Sequence, residues 1–202
     1  QVYDIITKRF IAVFYDECKV ANTNVIGKAD TVTFKTTGKE ILEKGIVIPS
    51  EHSKAAQVGI DLSLAKVEKI TGGSVVFKDT TIINPEFFIE ENTSQVDGKD
   101  CWILEPGTYA ITFNEGCNIP ENYTGFILHR SSLYRTGTQI VSPVWDPGYK
   151  TSQMGTVMVV NVKLIIEKNA RACQILFHEN SAVDELYDGQ FQGGTTAWEK
   201  AK

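Results

Sequence analysis

Short runs of alternating apolar and polar residues, each bounded by turn residues, are the feature of this sequence that most limits its fold. The run Gly59–Val67 alternates in this way, and the Thr71-Gly72-Gly73 turn leads from it into Ser74–Phe77. Period-two patterns predict β-strands with one buried face. Further strands are predicted at Cys101–Leu104, Tyr109–Phe113, Tyr123–Leu128, Thr138–Val141, Gly155–Ile166 and Ala172–Phe177. Many short strands with frequent turns predict a mainly β fold, either a sandwich or a barrel.

A helix is predicted where the main body of the chain begins. Thr37 and Glu40 match the T-x-x-E capping box, in which the two side chains satisfy free backbone N–H groups of the first helical turn. Gly45 follows where a C-terminal glycine stop belongs. The sequence therefore predicts a short helix between residues 37 and 45.

The two ends of the chain differ in composition from the strand-rich middle. Ile5–Tyr15 is apolar and fits either a strand or a short helix, whereas Asn22–Asp30 is polar and loop-like. Gly, Gln and Thr are frequent in residues 188–196, which is typical of a mobile terminus. We therefore divide the 202 residues into an N-terminal extension (1–35), a β domain (36–186) and a flexible C-terminal tail (187–202).

Charge and composition exclude several classes of protein. Lysine and arginine total 20 against 25 aspartates and glutamates, and a net charge of -5 argues against a protein that coats nucleic acid polymers. The longest apolar run, Thr156–Val160, has the length of a strand, so no membrane span is expected. No secretory leader follows Gln1, so a cytoplasmic location is expected. The four cysteines are scattered without a C-x-x-C pair, so no zinc site is predicted.

The segment Arg130–Arg135 (RSSLYR) is the first candidate site. It carries two guanidinium groups and two serine hydroxyl groups within six residues, directly after a predicted strand. Such groups hold phosphate oxygens by charge-assisted and neutral hydrogen bonds. A surface turn capped by serine fits the same residues equally well.

Val144–Tyr149 (VWDPGY) and the tail Tyr187–Thr196 are two further candidates. An aspartate followed by Pro-Gly is typical of an Asx turn. The ring of Tyr149, three residues after Asp146, also fits the wall of a nucleoside pocket. The glycine-bearing tail fits either a disordered terminus or a flap whose backbone amides close over an anion.

In their order along the chain, these segments resemble the dUTPase/dCTP deaminase superfamily. The landmarks between and around them agree with that order: Glu43–Pro49, Gly59–Leu62, Leu104–Gly107, and Gln174 within Arg171–Leu176 (RACQIL). The resemblance runs from about residue 37 to residue 196, which is most of the chain.

The resemblance implies a distorted β-barrel or jelly roll of the dUTPase type with one or two short helices, and the N-terminal extension (residues 1–35) falls outside it. It also implies a homotrimer with active sites at subunit interfaces and a tail that closes over each site. The expected substrate is a deoxynucleoside triphosphate, dUTP or dCTP. Mg²⁺ is the expected cofactor, held mainly through the substrate phosphates and not by direct protein ligands.

Carried over residue by residue, the resemblance assigns a role to each candidate. Asp146 activates a water molecule, Arg135 takes part in catalysis, and Asp61 supports the site structurally. The expected nucleotide-binding residues are Arg130, Ser131, Ser132, Val144, Trp145, Tyr149, Gln174, Tyr187 and Gln192.

Two chemistries occur in this superfamily. Diphosphatases use an aspartate to deprotonate water for attack on the α-phosphorus, which gives dUMP and pyrophosphate. Zinc-free deaminases use a glutamate in the strand after the Asp-Pro-Gly turn to move protons onto the leaving amine. An alignment on Gly155 puts Val160 at the position of that glutamate, and no carboxylate lies between Asp146 and Glu167.

The sequence therefore predicts a dUTP diphosphatase that acts in pyrimidine deoxynucleotide metabolism. A zinc-free dCTP deaminase, or a bifunctional deaminase and diphosphatase, remains an alternative, and so does a non-catalytic nucleotide-binding regulator. The base preference stays open, because Pro143, which lacks a backbone N–H, stands where backbone groups select the base.

Overall fold

Strands make up most of the part of the chain that the structure describes. A computed structural model describes residues 20–29, 32–41, 46–56, 59–78, 81–181, 183–196 and 198. Its strands are β1 (Val20–Ala29), β2 (Val32–Ile41), β3 (Val47–Ile48), β4 (Lys54–Ala55), β5 (Ile60–Ile70), β6 (Val75–Val76), β7 (Thr81–Ile82), β8 (Phe88–Glu90), β9 (Ser94–Val96), β10 (Lys99–Leu104), β11 (Gly107–Phe113), β12 (Gly116–Asn118), β13 (Tyr123–His129), β14 (Thr138–Val141), β15 (Lys150–Thr151), β16 (Gly155–Val160), β17 (Leu164–Glu167) and β18 (Arg171–Glu179).

Helices are short in the part of the chain that the structure describes. A 3₁₀ turn covers Pro85–Phe87, and the single α-helical turn α1 covers Ser131–Tyr134. No described helix is long and apolar enough to cross a membrane. The prediction of a mainly β fold with one or two short helices is confirmed.

The largest sheet curls into a nearly closed, barrel-like wall. Its strands follow the order β13-β18-β5-β11-β16-β14, and β4 and β8 also pair with β5. The neighbouring strands are antiparallel throughout. Three smaller sheets, β17-β10-β9, β15-β12-β3 and β6-β7, complete the barrel domain, and β1 and β2 form a separate two-stranded sheet.

Strand β5 connects the core to the polar part of the molecule. Ile60, Leu62 and Leu64 point into the hydrophobic core, where a fully buried side chain of this size contributes about 1.5–3 kcal/mol. The alternate residues Asp61 and Ser63 lie on the opposite face and are also buried. Because buried polar groups need partners, that face must be covered by hydrogen-bonding residues.

Glu115 is the partner of Ser63. Its fully buried carboxylate accepts hydrogen bonds from the hydroxyls of Ser50, Ser53 and Ser63 at 2.7, 2.9 and 2.9 Å, and from the backbone N–H of Ser63 at 2.8 Å. Ser53 directly precedes β4, so this cluster holds β4 against β5, where Lys54 pairs with Asp61.

Two predictions at the N-terminal side of the domain are wrong. Residues 37–41, expected in a helix, belong to β2, and residues 42–45 lie outside the described residues. Residues 22–29, expected in a loop, belong to β1, which pairs with β2 over its whole length. The capping box is a local spacing, whereas β2 begins with β-branched and aromatic residues that favour strand pairing. The apolar run Ile5–Tyr15 lies outside the described residues.

The strand predicted at Gly155–Ile166 is two strands. β16 ends at Val160, and β17 begins at Leu164 and pairs with β10 in another sheet. Asn161 marks the break, where its side-chain N–H donates to the Gly137 carbonyl at 2.6 Å. The division of the chain into 1–35, 36–186 and 187–202 stays a prediction.

Candidate active site

An aromatic cavity opens beside the Asp-Pro-Gly turn. Its volume is about 390 Å³, and one wall comes from the end of β14 and the segment after it: Val141, Pro143, Val144, Trp145, Asp146 and Tyr149. The start of β16 and the C-terminal segment supply the rest, together with Thr81 and Ile83 near β7: Gly155, Thr156, Val157, Tyr187, Phe191 and Trp198. Among these described lining residues, Asp146 is the only carboxylate.

The turn that carries Asp146 is fixed by backbone hydrogen bonds on both sides. Trp145 and Gly125 exchange two bonds, at 2.9 and 3.0 Å, and Gly148 donates to the Ile119 carbonyl at 2.9 Å. Gly148 has a φ of +86°, a conformation that favours glycine. The exposed side chain of Asp146 therefore projects into the cavity from a backbone that is held in place.

Three aromatic rings pack edge to face along the cavity wall. The Trp145 and Tyr149 ring centroids are 5.3 Å apart, and those of Tyr149 and Tyr187 are 5.2 Å apart. Burial raises the pKa of Tyr149 to about 12, so its hydroxyl stays protonated at neutral pH. The Trp145 indole N–H donates to the Ser142 hydroxyl at 3.1 Å. The arrangement gives a rigid apolar wall of the kind that receives a flat ring and a sugar.

A second cluster lies around Asp61 and consists mainly of cations. Asp61 is 4% exposed at its side chain and forms ion pairs with Arg130 (Nε to Oδ1, 3.2 Å) and Arg171 (Nη1 to Oδ2, 3.3 Å). Burial raises the pKa of the Asp61 carboxyl, and the charges of Arg130, Arg171 and Lys54 oppose that rise. The carboxylate of Glu115 also acts on Asp61, so three cations face two carboxylates and leave a net positive charge, which suits an anionic ligand.

The remaining members of the predicted phosphate site lie close to this cluster. Arg130 immediately precedes α1, which carries the exposed Ser131 and Ser132. Arg135 directly follows α1, and its guanidinium donates to the Ser131 carbonyl at 3.3 Å. Gln174 lies on β18 directly beside Asp61 of β5, so the ladder brings it to the same cluster.

One chain does not bring the two clusters into one cavity. Val144, Trp145, Asp146, Tyr149 and Tyr187 line the aromatic cavity. The other predicted site residues, all of them described, are not among its lining residues: Asp61, Arg130, Ser131, Ser132, Arg135, Gln174 and Gln192. Val160, at the position of the deaminase glutamate, is 1% exposed and belongs to the hydrophobic core.

The C-terminal segment lies along the turn and β15 of its own chain. Gly193 donates to the Lys150 carbonyl at 3.0 Å, and Gln153 donates to the Thr195 carbonyl at 3.0 Å. The Gln192 side chain bonds backbone groups on both sides of this contact. Further along, the Trp198 indole N–H donates to the Ile111 carbonyl at 3.2 Å.

Sequence reasoning missed several residues of these clusters. Arg171 reaches Asp61 because the β18–β5 register shifts between Arg171 and Cys173, and such a bulge has no signal in the sequence. Lys54 reaches Asp61 only through the pairing of β4 with β5. Trp198 lines the cavity through contacts with residues that are distant in the sequence. An aromatic residue in a polar tail was nevertheless a signal that could have identified it.

The family model described as dCTP deaminase-like matches residues 33–180. A probable deoxyuridine 5'-triphosphate nucleotidohydrolase of Methanosarcina mazei is 36% identical over 141 residues, which are 68% of this chain and 80% of that protein. A deoxyuridine 5'-triphosphate nucleotidohydrolase of Methanocaldococcus jannaschii is 36% identical over 144 residues, or 71% and 90% of the two chains.

Among solved structures, the 2'-deoxycytidine 5'-triphosphate deaminase from Agrobacterium tumefaciens resembles this chain with a TM-score of 0.49 and 17% identity. That likeness covers 64% of this chain and 40% of the deaminase.

Proposed function

Because the chain belongs to the dCTP deaminase-like family, within the superfamily of dUTPases and dCTP deaminases, we propose that it hydrolyses dUTP to dUMP and pyrophosphate. The observation that carries this proposal is the single carboxylate, Asp146, among the described residues that line the aromatic cavity. The two archaeal relatives, at 36% identity, carry names of dUTP hydrolases, which supports the same activity.

Deamination is disfavoured by the same cavity. Replacing the amine of cytosine needs an acid–base group that delivers a proton to the leaving nitrogen. The described part of the cavity offers Asp146 and no second carboxylate, and Val160 belongs to the core. Hydrolysis needs one base near the attacking water, and Asp146 suffices for that role.

Asp146 acts as the base that orients and deprotonates water for attack on the α-phosphorus. Its exposed carboxylate accepts the proton of the water, whose oxygen forms the new bond to phosphorus while pyrophosphate leaves. The hydrogen-bonded turn supports this role, because a backbone that is held in place limits the positions that the carboxylate can take and so reduces the entropy lost in orienting the water.

The aromatic wall receives the nucleoside. Trp145, Tyr149 and Tyr187 present apolar ring surface to the base and deoxyribose, and Val144 adds an exposed aliphatic contact. We infer that the Tyr149 ring packs on the deoxyribose and leaves no room for a 2'-hydroxyl. The rigid, buried position of Tyr149 supports this selectivity.

The phosphates bind the cationic cluster of a second copy of the chain. Arg130, Ser131, Ser132, Arg135 and Gln174 supply guanidinium, hydroxyl and amide groups for the triphosphate. Since the cluster and the cavity are separate in one chain, a homotrimer with shared interfacial sites completes the proposal.

The described residues fit a Mg²⁺ ion that is held mainly by the phosphates of the substrate. The described residues contain no group of three or more His, Cys, Asp or Glu that could form a protein cage for a metal. Mg²⁺ keeps several water ligands and is commonly bound through substrate phosphates, so a triphosphate substrate would supply most of its protein-independent ligands. When bound, Mg²⁺ spreads the negative charge that develops on the phosphates.

We also infer a cytoplasmic location. Cys101, Cys117 and Cys173 are buried free thiols, and unpaired cysteines are usual in a reducing compartment.

A product assay tests the function. The purified protein is incubated with dUTP or dCTP in the presence of Mg²⁺, and nucleotides, pyrophosphate and ammonia are measured. We expect dUMP and pyrophosphate from dUTP. Release of ammonia from dCTP would contradict the proposal in favour of a deaminase, and tight dUTP binding without product would contradict it in favour of a regulator.

A further inference from the structure

The side-chain amide of Gln192 forms hydrogen bonds with backbone groups of its own chain. Its Oε1 accepts from the Lys150 N–H at 2.9 Å, and its Nε2 donates to the carbonyls of Gly148 at 2.8 Å and Tyr187 at 2.9 Å. A glutamine amide has two N–H groups, and both have partners here.

These three backbone groups come from two segments that form the cavity. Gly148 and Lys150 flank Tyr149, in the turn that carries Asp146, whereas Tyr187 begins the C-terminal segment. The two segments also bond directly, because the Tyr187 N–H donates to the Pro147 carbonyl at 2.8 Å.

The packing between the two segments is as close as their backbones permit. A Cβ on Gly148 would lie 2.8 Å from the Cβ of Leu186. The Tyr149 and Tyr187 rings meet edge to face above this contact. A small movement of the C-terminal segment therefore changes the aromatic wall directly.

We propose that Gln192 is a positioning residue, which clips the C-terminal segment to the Asp146 turn and fixes the place of Tyr187 in the cavity wall. The inference deepens the proposed hydrolysis of dUTP and rests on it. Without the clip, the bonds from residues 193–195 to residues 150–153 remain, and the turn and Tyr187 keep the Tyr187–Pro147 hydrogen bond and the ring contact with Tyr149. The clip acts through the turn and leaves the nucleotide untouched.

Two variants of Gln192 and one control variant distinguish a positioning role from a direct contact with the nucleotide. Gln192→Met keeps the length of the side chain and removes all three hydrogen bonds. Gln192→Glu keeps an acceptor for the Lys150 N–H and removes both donors. Gln190→Met is the matched control, since Gln190 is an exposed tail glutamine that donates a hydrogen bond to the Thr81 carbonyl at 3.5 Å.

Hydrogen exchange of the Lys150 amide is measured without nucleotide. We expect it to rise about tenfold or more in Gln192→Met, because the acceptor is lost, and to stay near the wild-type rate in Gln192→Glu and Gln190→Met. Equal Lys150 exchange in Gln192→Met and wild type would overturn the clip. This measurement requires no turnover, so it tests whether Gln192 joins the C-terminal segment to the turn even if dUTP proves not to be a substrate.

Kinetics with dUTP give the second readout. We expect kcat to fall about tenfold in both Gln192 variants, because both lose the two hydrogen bonds that the amide donates, while the Gln190→Met kinetics stay within about twofold of wild type. A rise in KM or Kd with unchanged kcat would overturn the positioning role in favour of a direct contact with the nucleotide.

Discussion

Asp61 and its cations illustrate, at the scale of single residues, how a chain with a net charge of -5 can still hold a triphosphate. Its buried carboxylate pairs with Arg130 and Arg171, which orients both guanidinium groups. Lys54 adds a third cation through the β4–β5 pairing. We therefore propose that local positive charge decides phosphate binding, because exposed charges farther away are screened by salt.

The raised pKa of Tyr149 predicts a specific loss of stability at alkaline pH. The folded protein keeps the phenol proton up to about pH 12, whereas an unfolded tyrosine loses it near the ordinary value of 10.0. The free energy of unfolding therefore falls as the pH rises through this window. We expect urea unfolding to show a steeper loss of stability above about pH 10 for wild type than for Tyr149→Phe.

Tyr134→Phe, which removes an exposed phenol, is the control for that experiment. It should follow the wild-type pH dependence. A Tyr149→Phe variant that lost stability as steeply as wild type would show that burial does not hold this proton.

The Asp146 turn and the C-terminal segment depend on each other at the scale of elements. Gly148→Ala and Gly98→Ala both place a side chain at positive φ, +86° and +77°, and both should lose about 1–2 kcal/mol of unfolding free energy. Only Gly148→Ala also pushes a Cβ against Leu186, since nothing lies within 4 Å of a Cβ on Gly98.

Activity should therefore separate these two glycine variants. We expect kcat/KM for dUTP to fall about tenfold or more in Gly148→Ala, because displaced catalytic groups are costly, and to stay near wild type in Gly98→Ala. Urea unfolding and steady-state kinetics measure the two effects. Equal kinetics in both variants would mean that the turn tolerates movement of the segment.

Elements that have a signal in neighbouring residues were predicted from the sequence. Elements that depend on pairing with residues distant in the sequence, such as β1 and β2, were not. The strand-like run Thr138–Val141 was predicted with the observed bounds of β14, and the Pro-Gly turn after Asp146 was evident from its residues. The helix expected from Thr37 and Glu40 is wrong there, because pairing of β2 with β1 is a non-local contact that outweighs a capping signal.

The same distinction holds for the candidate site. Asp146, Tyr149 and Tyr187 carried local turn and aromatic signals, and all of them line the cavity. The contacts of Arg171 and Lys54 with Asp61 depend on a strand bulge and on strand register, which the sequence does not encode locally.

The whole molecule, as proposed, divides one active site between subunits. Asp146 of one chain would work with Arg135 of another, so a mixture of two inactive variants should regain activity. We expect Asp146→Asn and Arg135→Gln, co-refolded in equal amounts, to restore activity at about a quarter of the sites, where an intact Asp146 meets an intact Arg135. Each variant refolded alone serves as the control, and an inactive mixture would contradict shared sites.

The proposed function depends on Asp146 as the base of dUTP hydrolysis. The most direct measurement is dUMP formation by Asp146→Asn, with dUTP binding measured on the same preparation and Asp184→Asn, a change at another exposed aspartate, as the control. We predict that Asp146→Asn loses about a thousandfold or more in kcat while its Kd for dUTP and the activity of Asp184→Asn stay near wild type. Turnover of dUTP by Asp146→Asn at the wild-type rate would contradict the account.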